Sequence, residues 1–185
     1  MKKNVKIIVC YHKPATLLKN KYFVPVHVGR DIAFENSKDG VVSPKEFEWM
    51  KRNLVGDNTG DNISNENRNY CELSALYWAW KNQAKIGNPD YIGLMHYRRV
   101  LKFTDNYKNY YIIKNNDLKK FFDKTEFDVI LTKPKKCFSV VNNVCSKNVY
   151  DHFCQEHGKR LTHIMLDCVK EKFPEMTESL NFTMF

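Results

Sequence analysis

Short, β-branched apolar runs alternate along the chain with polar stretches rich in Asn, Asp and Gly. Val5–Tyr11 (VKIIVCY) is apolar at nearly every position, the pattern of a strand buried on both faces of a sheet. Residues 23–28 (FVPVHV) predict a second strand, with Pro25 pointing to an edge or an irregular path because proline cannot donate to a ladder. Residues 29–44 are polar and read as a loop. A helix is predicted over 44–54, with Ser43 as N-cap and Pro44 at the first helical position. The stretch 56–69 (GDNTGDNISNENRN) predicts tight turns.

Over 70–84, Leu73, Leu76, Tyr77 and Trp80 recur at three- and four-residue spacing, which predicts a helix with these residues on its apolar face. Gly87-Asn88-Pro89 ends it, and residues 91–95 form the next apolar run, a strand. Further on, helices are predicted over 118–124, 148–157 and 161–173, the last with Leu161, Ile164 and Cys168 on one face. A buried strand is predicted over 128–132 (DVILT). No repeat or low-complexity linker interrupts the pattern. The expectation is one α/β domain over 1–185, with a mixed or mostly parallel sheet and helices on both faces.

Composition adds little to that picture. The 185 residues suffice for one real core, and 43% of them are hydrophobic, which excludes a disordered chain. Thirty Lys and Arg against 21 Asp and Glu give a formal charge of +9. That charge suits an anionic partner, whether nucleic acid, anionic lipid or a phosphorylated small molecule, and equally a lysine-rich solvated surface. No RNA- or DNA-binding motif accompanies it, so a nucleic-acid-binding protein is the remote reading. The six cysteines include no CxxC pair and no zinc spacing; Cys10 and Cys168 read as reduced, buried small hydrophobes. The apolar run near the N-terminus is too short for a signal peptide or a membrane span. The expected location is the cytoplasm, with any membrane contact peripheral and to anionic lipid.

The candidate chemistry gathers at two places. The strand over 91–95 runs directly into His96, Tyr97, Arg98 and Arg99, and ligands of open α/β sheets collect at the carboxyl ends of strands. A guanidinium cannot shed its proton, so near a sheet it needs an acidic partner or an anionic ligand. Internal partners for the arginines would be Asp57, Asp61 or Glu72. If the strand continued extended, His96 and Arg98 would share one side, with Tyr97 and Arg99 on the other. The second place is the turn carrying Asp57, Asn58, Asp61 and Asn62, whose carboxylates could bind a metal, orient a sugar or act as a general base, or could simply close turns. No Gly-rich phosphate loop, GxSxG elbow or HExxH motif is present, nor an Asp-x-Asp pair of the kind that holds metal in nucleotide-sugar enzymes.

HVGR (27–30), VGDNTGDNISNENRNYCELSALYWAWKN (55–82), DYIGLMHYRR (90–99) and FDVILTKP (127–134), in this order, resemble the DUF4422 family, glycosyltransferases of bacterial capsule and exopolysaccharide clusters. VYDHFCQEHG (149–158) is similar to a later region of that family. The resemblance implies a GT-A-like fold, and transfer of a sugar from a nucleotide-sugar, such as a UDP-hexose of the galactofuranose type, to a lipid-linked or growing glycan. It implies a donor site lined by the turn after the first strand, where His12 lies, by His96, Tyr97, Arg98 and Arg99, and by Asn58 and Asn62. Asp57, Asp61 and Glu72 are the candidates for the catalytic base. If transfer is metal-dependent, Mn or Mg would sit on Asp57 and Asp61; otherwise Arg98 and Arg99 take the metal's place at the diphosphate. Tyr70 and Trp78 are candidates to stack on the nucleobase or sugar. The chain is expected to be shorter at its C-terminus than other members, which leaves a non-catalytic nucleotide-binding module as the alternative.

Overall fold

The computed structural model describes residues 3–37, 40–101, 103, 115–124, 126–131, 139–141, 144–146 and 148–178. They fall into two compact units, Met1–Ile130 and Leu131–Phe185.

The first unit is built on a parallel sheet of four strands, β1 (Val5–Tyr11), β2 (Phe23–His27), β3 (Val55–Gly56) and β4 (Tyr91–His96), in the order β3-β2-β1-β4. Every pair in it is parallel, so all carboxyl ends lie along one edge. β1 is central. β4 is an edge strand among the described residues and pairs with β1 so that Cys10 lies opposite His96.

Alternation along β1 divides the core into two layers. Val5, Ile7, Val9 and Tyr11 pack with Tyr22, Phe23, Met95 and Tyr97 on one face. That face is covered by α1 (Pro44–Asn53), through Met50, and by α4 (Asn115–Lys124), through Leu118 and Phe122. Ile8 and Cys10 point to the other face, where Val26, Val28, Ala75, Trp78, Ala79 and Ile86 close the second layer. Helices on both faces of a parallel sheet are the architecture that the apolar runs imply. The start of α1 follows from its sequence. The Ser43 hydroxyl accepts from the Glu46 backbone N–H at 3.3 Å, and the Glu46 carboxylate accepts from the Ser43 N–H at 2.8 Å, a reciprocal capping box.

Three expectations are corrected in this unit. The predicted helix over 70–84 is split into α2 (Asn67–Tyr70), α3 (Leu73–Lys81) and a 3-10 turn over Gln83–Ile86, with Cys71 between the first two at φ 48°. Its inward face is not the one the spacing suggests. Ser74, Ala75, Trp78 and Ala79 are buried, whereas Leu73 and Trp80 are 52% and 57% exposed. The reason is polar satisfaction: Trp78 and Ser74 carry groups whose partners lie inside, so their side is drawn inward. Third, described residues 128–130, the part of the predicted strand that lies in this unit, form no strand, and Val129 is 68% exposed.

In the second unit, an antiparallel pair, β5 (Ser139–Val141) with β6 (Val144–Ser146), precedes a helical hairpin, α5 (Val149–His157) and α6 (Lys159–Lys172). Asn148 caps α5 by accepting from the Asp151 N–H at 2.7 Å. Gly158 reverses the chain at φ 82°, a conformation glycine adopts without strain. The predicted apolar face of α6 is exposed: Leu161, Ile164 and Cys168 face outward and Thr162 is the buried residue. The short strands of the pair have no counterpart in the sequence expectations. No described helix is long and apolar enough to cross a membrane.

Candidate functional site

The carboxyl edge of the sheet brings together residues far apart in the chain. β1 ends at Tyr11 and leads to His12; β4 ends at His96 and leads to Tyr97, Arg98 and Arg99. Because Cys10 is opposite His96, the two histidines meet above the strand ends, with His96 Nε2 3.4 Å from His12 Nδ1. Glu72, at the start of α3, completes the group with a carboxylate oxygen 4.0 Å from His96 Nε2. A carboxylate is favoured there by the positive end of the helix. Its backbone carbonyl accepts the Cys10 thiol at 3.9 Å, and burial, with Glu72 and Asp57 nearby, pushes that thiol far above the usual range.

The chain does not stay extended past His96. It turns, with the Arg99 N–H donating to the His96 carbonyl at 2.9 Å and the Arg98 N–H to His96 Nδ1 at 3.1 Å. The expected alternation of sides therefore ends at Tyr97. Nδ1 acts as acceptor, so the neutral ring carries its proton on Nε2, the nitrogen facing His12 and Glu72. Burial, then His12 and Arg98, hold His96 down at about 4, against the opposing pull of Glu72. Tyr97 is buried and stacks on Tyr11 at 5.1 Å between ring centres. The Arg98 guanidinium lies 5.4 Å from the centre of the Tyr97 ring, a cation–π contact that orients it. Both arginines are exposed, and among the described residues neither has an acidic partner. The internal pairing with Asp57, Asp61 or Glu72 is not formed.

Asp57 lies beneath this edge and is 0% exposed. Each of its oxygens accepts two hydrogen bonds. Oδ2 takes the Gly29 N–H at 2.8 Å and the Ser74 hydroxyl at 2.8 Å; Oδ1 takes the Arg30 N–H at 3.1 Å and the Ser64 hydroxyl at 2.6 Å. A carboxylate so engaged has no lone pair left for an acceptor hydroxyl or a metal. Asp57 is a clamp, not a base, and this corrects its candidacy for both roles. Gly29 is required at its position. Its φ is 64°, and a Cβ there would stand 2.7 Å from the Asn67 side chain. The Asn67 amide in turn donates to the Cys71 carbonyl at 2.6 Å and to Ser74 Oγ at 2.8 Å, bracing the break from which α3 restarts beside Glu72.

The other turn residues are separate from the histidine pair. Asp61 is exposed, accepts from the Tyr77 hydroxyl at 3.1 Å and lies 3.8 Å from Lys81. Asp57 and Asp61 thus face different partners and do not form a common seat for Mn or Mg. Among the described residues no three His, Cys, Asp or Glu side chains are grouped to hold a metal ion. Asn58 donates to Asp31 at 2.7 Å, and Asn62 closes its own turn on the Gly60 carbonyl and the Ser64 N–H. Both act in loop structure. Trp78 is fully buried, donating to the Thr59 carbonyl at 2.9 Å, which removes it as a stacking surface, whereas Tyr70 is exposed. Leu73, Leu76, Tyr77, Trp80 and Ile92 line a shallow apolar groove along the outside of α3.

Sequence reasoning missed Ser64 and Ser74, the buried hydroxyls on Asp57, and the pairing of His27 with Arg30. His27 is 1% exposed and its Nδ1 accepts from Arg30 Nε at 3.2 Å, while the guanidinium also donates to the Leu54 carbonyl at 2.9 Å. Burial, reinforced by Arg30 and His12, holds His27 down at about 3. The signal was present in the order HVGR … GDN, two motifs whose backbones meet at one carboxylate.

Residues 6–185 match the model of a family described as a domain of unknown function, DUF4422. Among solved structures, the apo form of WbbM, described as a bifunctional glycosyltransferase, matches at a TM-score of 0.68 and 28% sequence identity over 98% of this chain. The chain spans 31% of that protein's chain, about a third of its length. No curated protein matches.

Two outcomes follow from the clamp and its neighbour. Asp57→Asn replaces one acceptor oxygen with a donor, leaving a backbone N–H of Gly29 or Arg30 unmatched, and urea unfolding should show a loss of about 1–3 kcal/mol. An unfolded His27 binds a proton below about pH 6.5, whereas the folded one stays neutral until about 3, so stability falls as pH drops through that window. The slope is at most about 1.4 kcal/mol per pH unit for one histidine. Thermal unfolding across that range should show a smaller decline in His27→Gln, whose carbonyl can still accept from Arg30.

Proposed function

The chain belongs to the DUF4422 family, and from that premise we propose that it is a glycosyltransferase domain. In this reading it carries a sugar from a UDP-linked donor, a UDP-hexose, to a glycan that is growing or lipid-linked, in bacterial capsule, exopolysaccharide or lipopolysaccharide synthesis. The observation that carries it is the pair Arg98 and Arg99, exposed and without acidic partners among the described residues, at the carboxyl edge of a parallel sheet beside His12 and His96. The likeness to WbbM supports the class of chemistry. Work at the cytoplasmic face of the membrane, with peripheral contact to anionic lipid, agrees with the net charge of +9.

In transfer, the bond between the sugar's anomeric carbon and the β-phosphate oxygen breaks, and its electron pair stays with the diphosphate. The acceptor oxygen forms the new bond to that carbon and loses its proton. Negative charge therefore grows on the leaving diphosphate, and fixed cations aimed at it lower the barrier more than they tighten ground-state binding. In this reading Arg98, steadied over Tyr97, supplies such a cation, with Arg99 next to it in the chain. Glu72 is the residue that fits the base: its side chain is 43% exposed, next to His96, whereas Asp57 is sealed and Asp61 is engaged with Tyr77 and Lys81.

Release of UDP from a UDP-hexose in the presence of a glycan acceptor tests the reading. A charged hydrogen bond contributes roughly 1.5–3 kcal/mol, so Arg98→Ala should slow release about ten- to a hundredfold. Glu72→Gln should lower the rate at unchanged donor affinity. Normal rates in both variants would overturn these assignments.

A further inference from the structure

We propose that the amino-terminal edge of the parallel sheet, with the adjoining end of α4, is the face that docks on an anionic membrane surface. The choice of a bilayer as partner rests on the transferase reading above, in which the acceptor is lipid-linked; the face itself does not. In a parallel sheet the strand starts gather along one edge, opposite the carboxyl edge that carries His12, His96 and the arginines. Three stretches of chain meet there. Lys6, near the start of β1, donates through Nζ to the Lys21 carbonyl at 2.7 Å. The turn into β2 carries Lys19 and Lys21, and the Tyr22 ring that follows packs on Phe122 of α4 at 5.6 Å between ring centres. Lys3 joins the first stretch to the third by donating to the Phe122 carbonyl at 3.3 Å. The second half of α4 adds Lys119, Lys120 and Lys124.

The acidic residues along this face leave much of that charge unmatched. Asp123 takes Lys119, Glu126 lies 3.8 Å from Lys3, Asp90 accepts the Asn4 N–H at 2.8 Å, and Asp128 follows in the chain. Lys19, Lys21, Lys120 and Lys124 are exposed, and among the described residues none of them meets a carboxylate. All the cations are lysines. An ammonium on a flexible four-carbon stem is a mobile, strongly hydrated point charge, which suits a fluid layer of phosphate headgroups, whereas fixed phosphates are read by the arginine fork. Tyr22 and Phe122 are buried, so neither offers a ring on which an unpaired base could stack. A bilayer is therefore the better match than a single-stranded nucleic acid. Docked by this edge, the sheet turns its carboxyl edge to the water. The two edges are separated by the seven residues of β1, roughly 20 Å, which suits an acceptor glycan already extended from its lipid.

Sedimentation of the full chain with vesicles of equal parts phosphatidylglycerol and phosphatidylcholine tests the face. The chain should bind them, bind pure phosphatidylcholine vesicles about tenfold more weakly or less, and come off at about 1 M salt, where the screening length is ~3 Å. Each lysine near an anionic surface raises affinity about fivefold, so Lys21→Gln/Lys124→Gln should weaken binding about 20- to 30-fold. Lys13→Gln/Lys45→Gln removes the same charge from exposed positions beyond the end of β1 and at the start of α1, and should change binding roughly twofold at most. Equal loss in the two variants would reduce the attraction to net charge and overturn the face. Undiminished binding by Lys21→Gln/Lys124→Gln would overturn it too, as would failure of the unaltered chain to bind anionic vesicles. RNA bound in place of vesicles, with the loss in that same variant, would overturn the membrane as partner. Vesicle binding as expected, with no release of UDP from a UDP-hexose, would sink the transferase reading and leave the docking face standing.

Discussion

One sealed carboxylate fixes the geometry on which the site depends. Burying Asp57 without partners would be prohibitive, and its four hydrogen bonds are what make the burial tolerable. Those bonds join three stretches of chain at one point: the turn after β2, the 3-10 turn Ser64–Glu66 and the first turn of α3. Since Asp57 itself follows β3, the clamp also holds that two-residue strand against β2, helped by the Asp57 N–H donating to the His27 carbonyl at 3.2 Å. The start of α3 carries Glu72, and so the carboxylate beside His96 is placed by a different, buried carboxylate.

The division of labour among the acidic residues comes from their surroundings, not their spacing. Asp57 and Asp61 are four apart and chemically identical, yet one holds the fold together and the other sits at the surface with a tyrosine and a lysine. The basic residues divide in the same way. Arg30 is spent on His27 and the Leu54 carbonyl, whereas Arg98 lies over Tyr97 and, among the described residues, neither Arg98 nor Arg99 meets a carboxylate. A guanidinium left without a carboxylate beside a sheet's carboxyl edge is the strongest mark of an anion site in this chain.

Much of the first unit was legible in the sequence. The β-branched run at Val5–Tyr11, the Ser43-Pro44 start and the strand leading to His96 are local signals, and each appears where its pattern placed it. What local patterns could not supply was the inward side of α3. The apolar stripe Leu73, Leu76, Tyr77 and Trp80 lost to Ser74 and Trp78, because hydrogen bonds to Asp57 and Thr59 turned the helix about its axis. The exposed 128–131 run differs for a related reason: apolar composition marks a strand only where a neighbouring strand pairs with it, and among the described residues none pairs with this run. The residues of the edge were named one by one, but the meeting of His12 with His96 depends on the parallel register of β1 and β4, which no spacing along the chain encodes.

The central claim is that a nucleoside diphosphate is held at the turn formed by His96, Tyr97, Arg98 and Arg99. A crystal structure of the chain with UDP tests it most directly. The account predicts the diphosphate against that turn, in hydrogen-bonding contact with the Arg98 guanidinium and beside the His12–His96 pair, without a metal ion bridging to Asp57 or Asp61. UDP found at another part of the fold, or a diphosphate held through a metal on those two carboxylates, would contradict it.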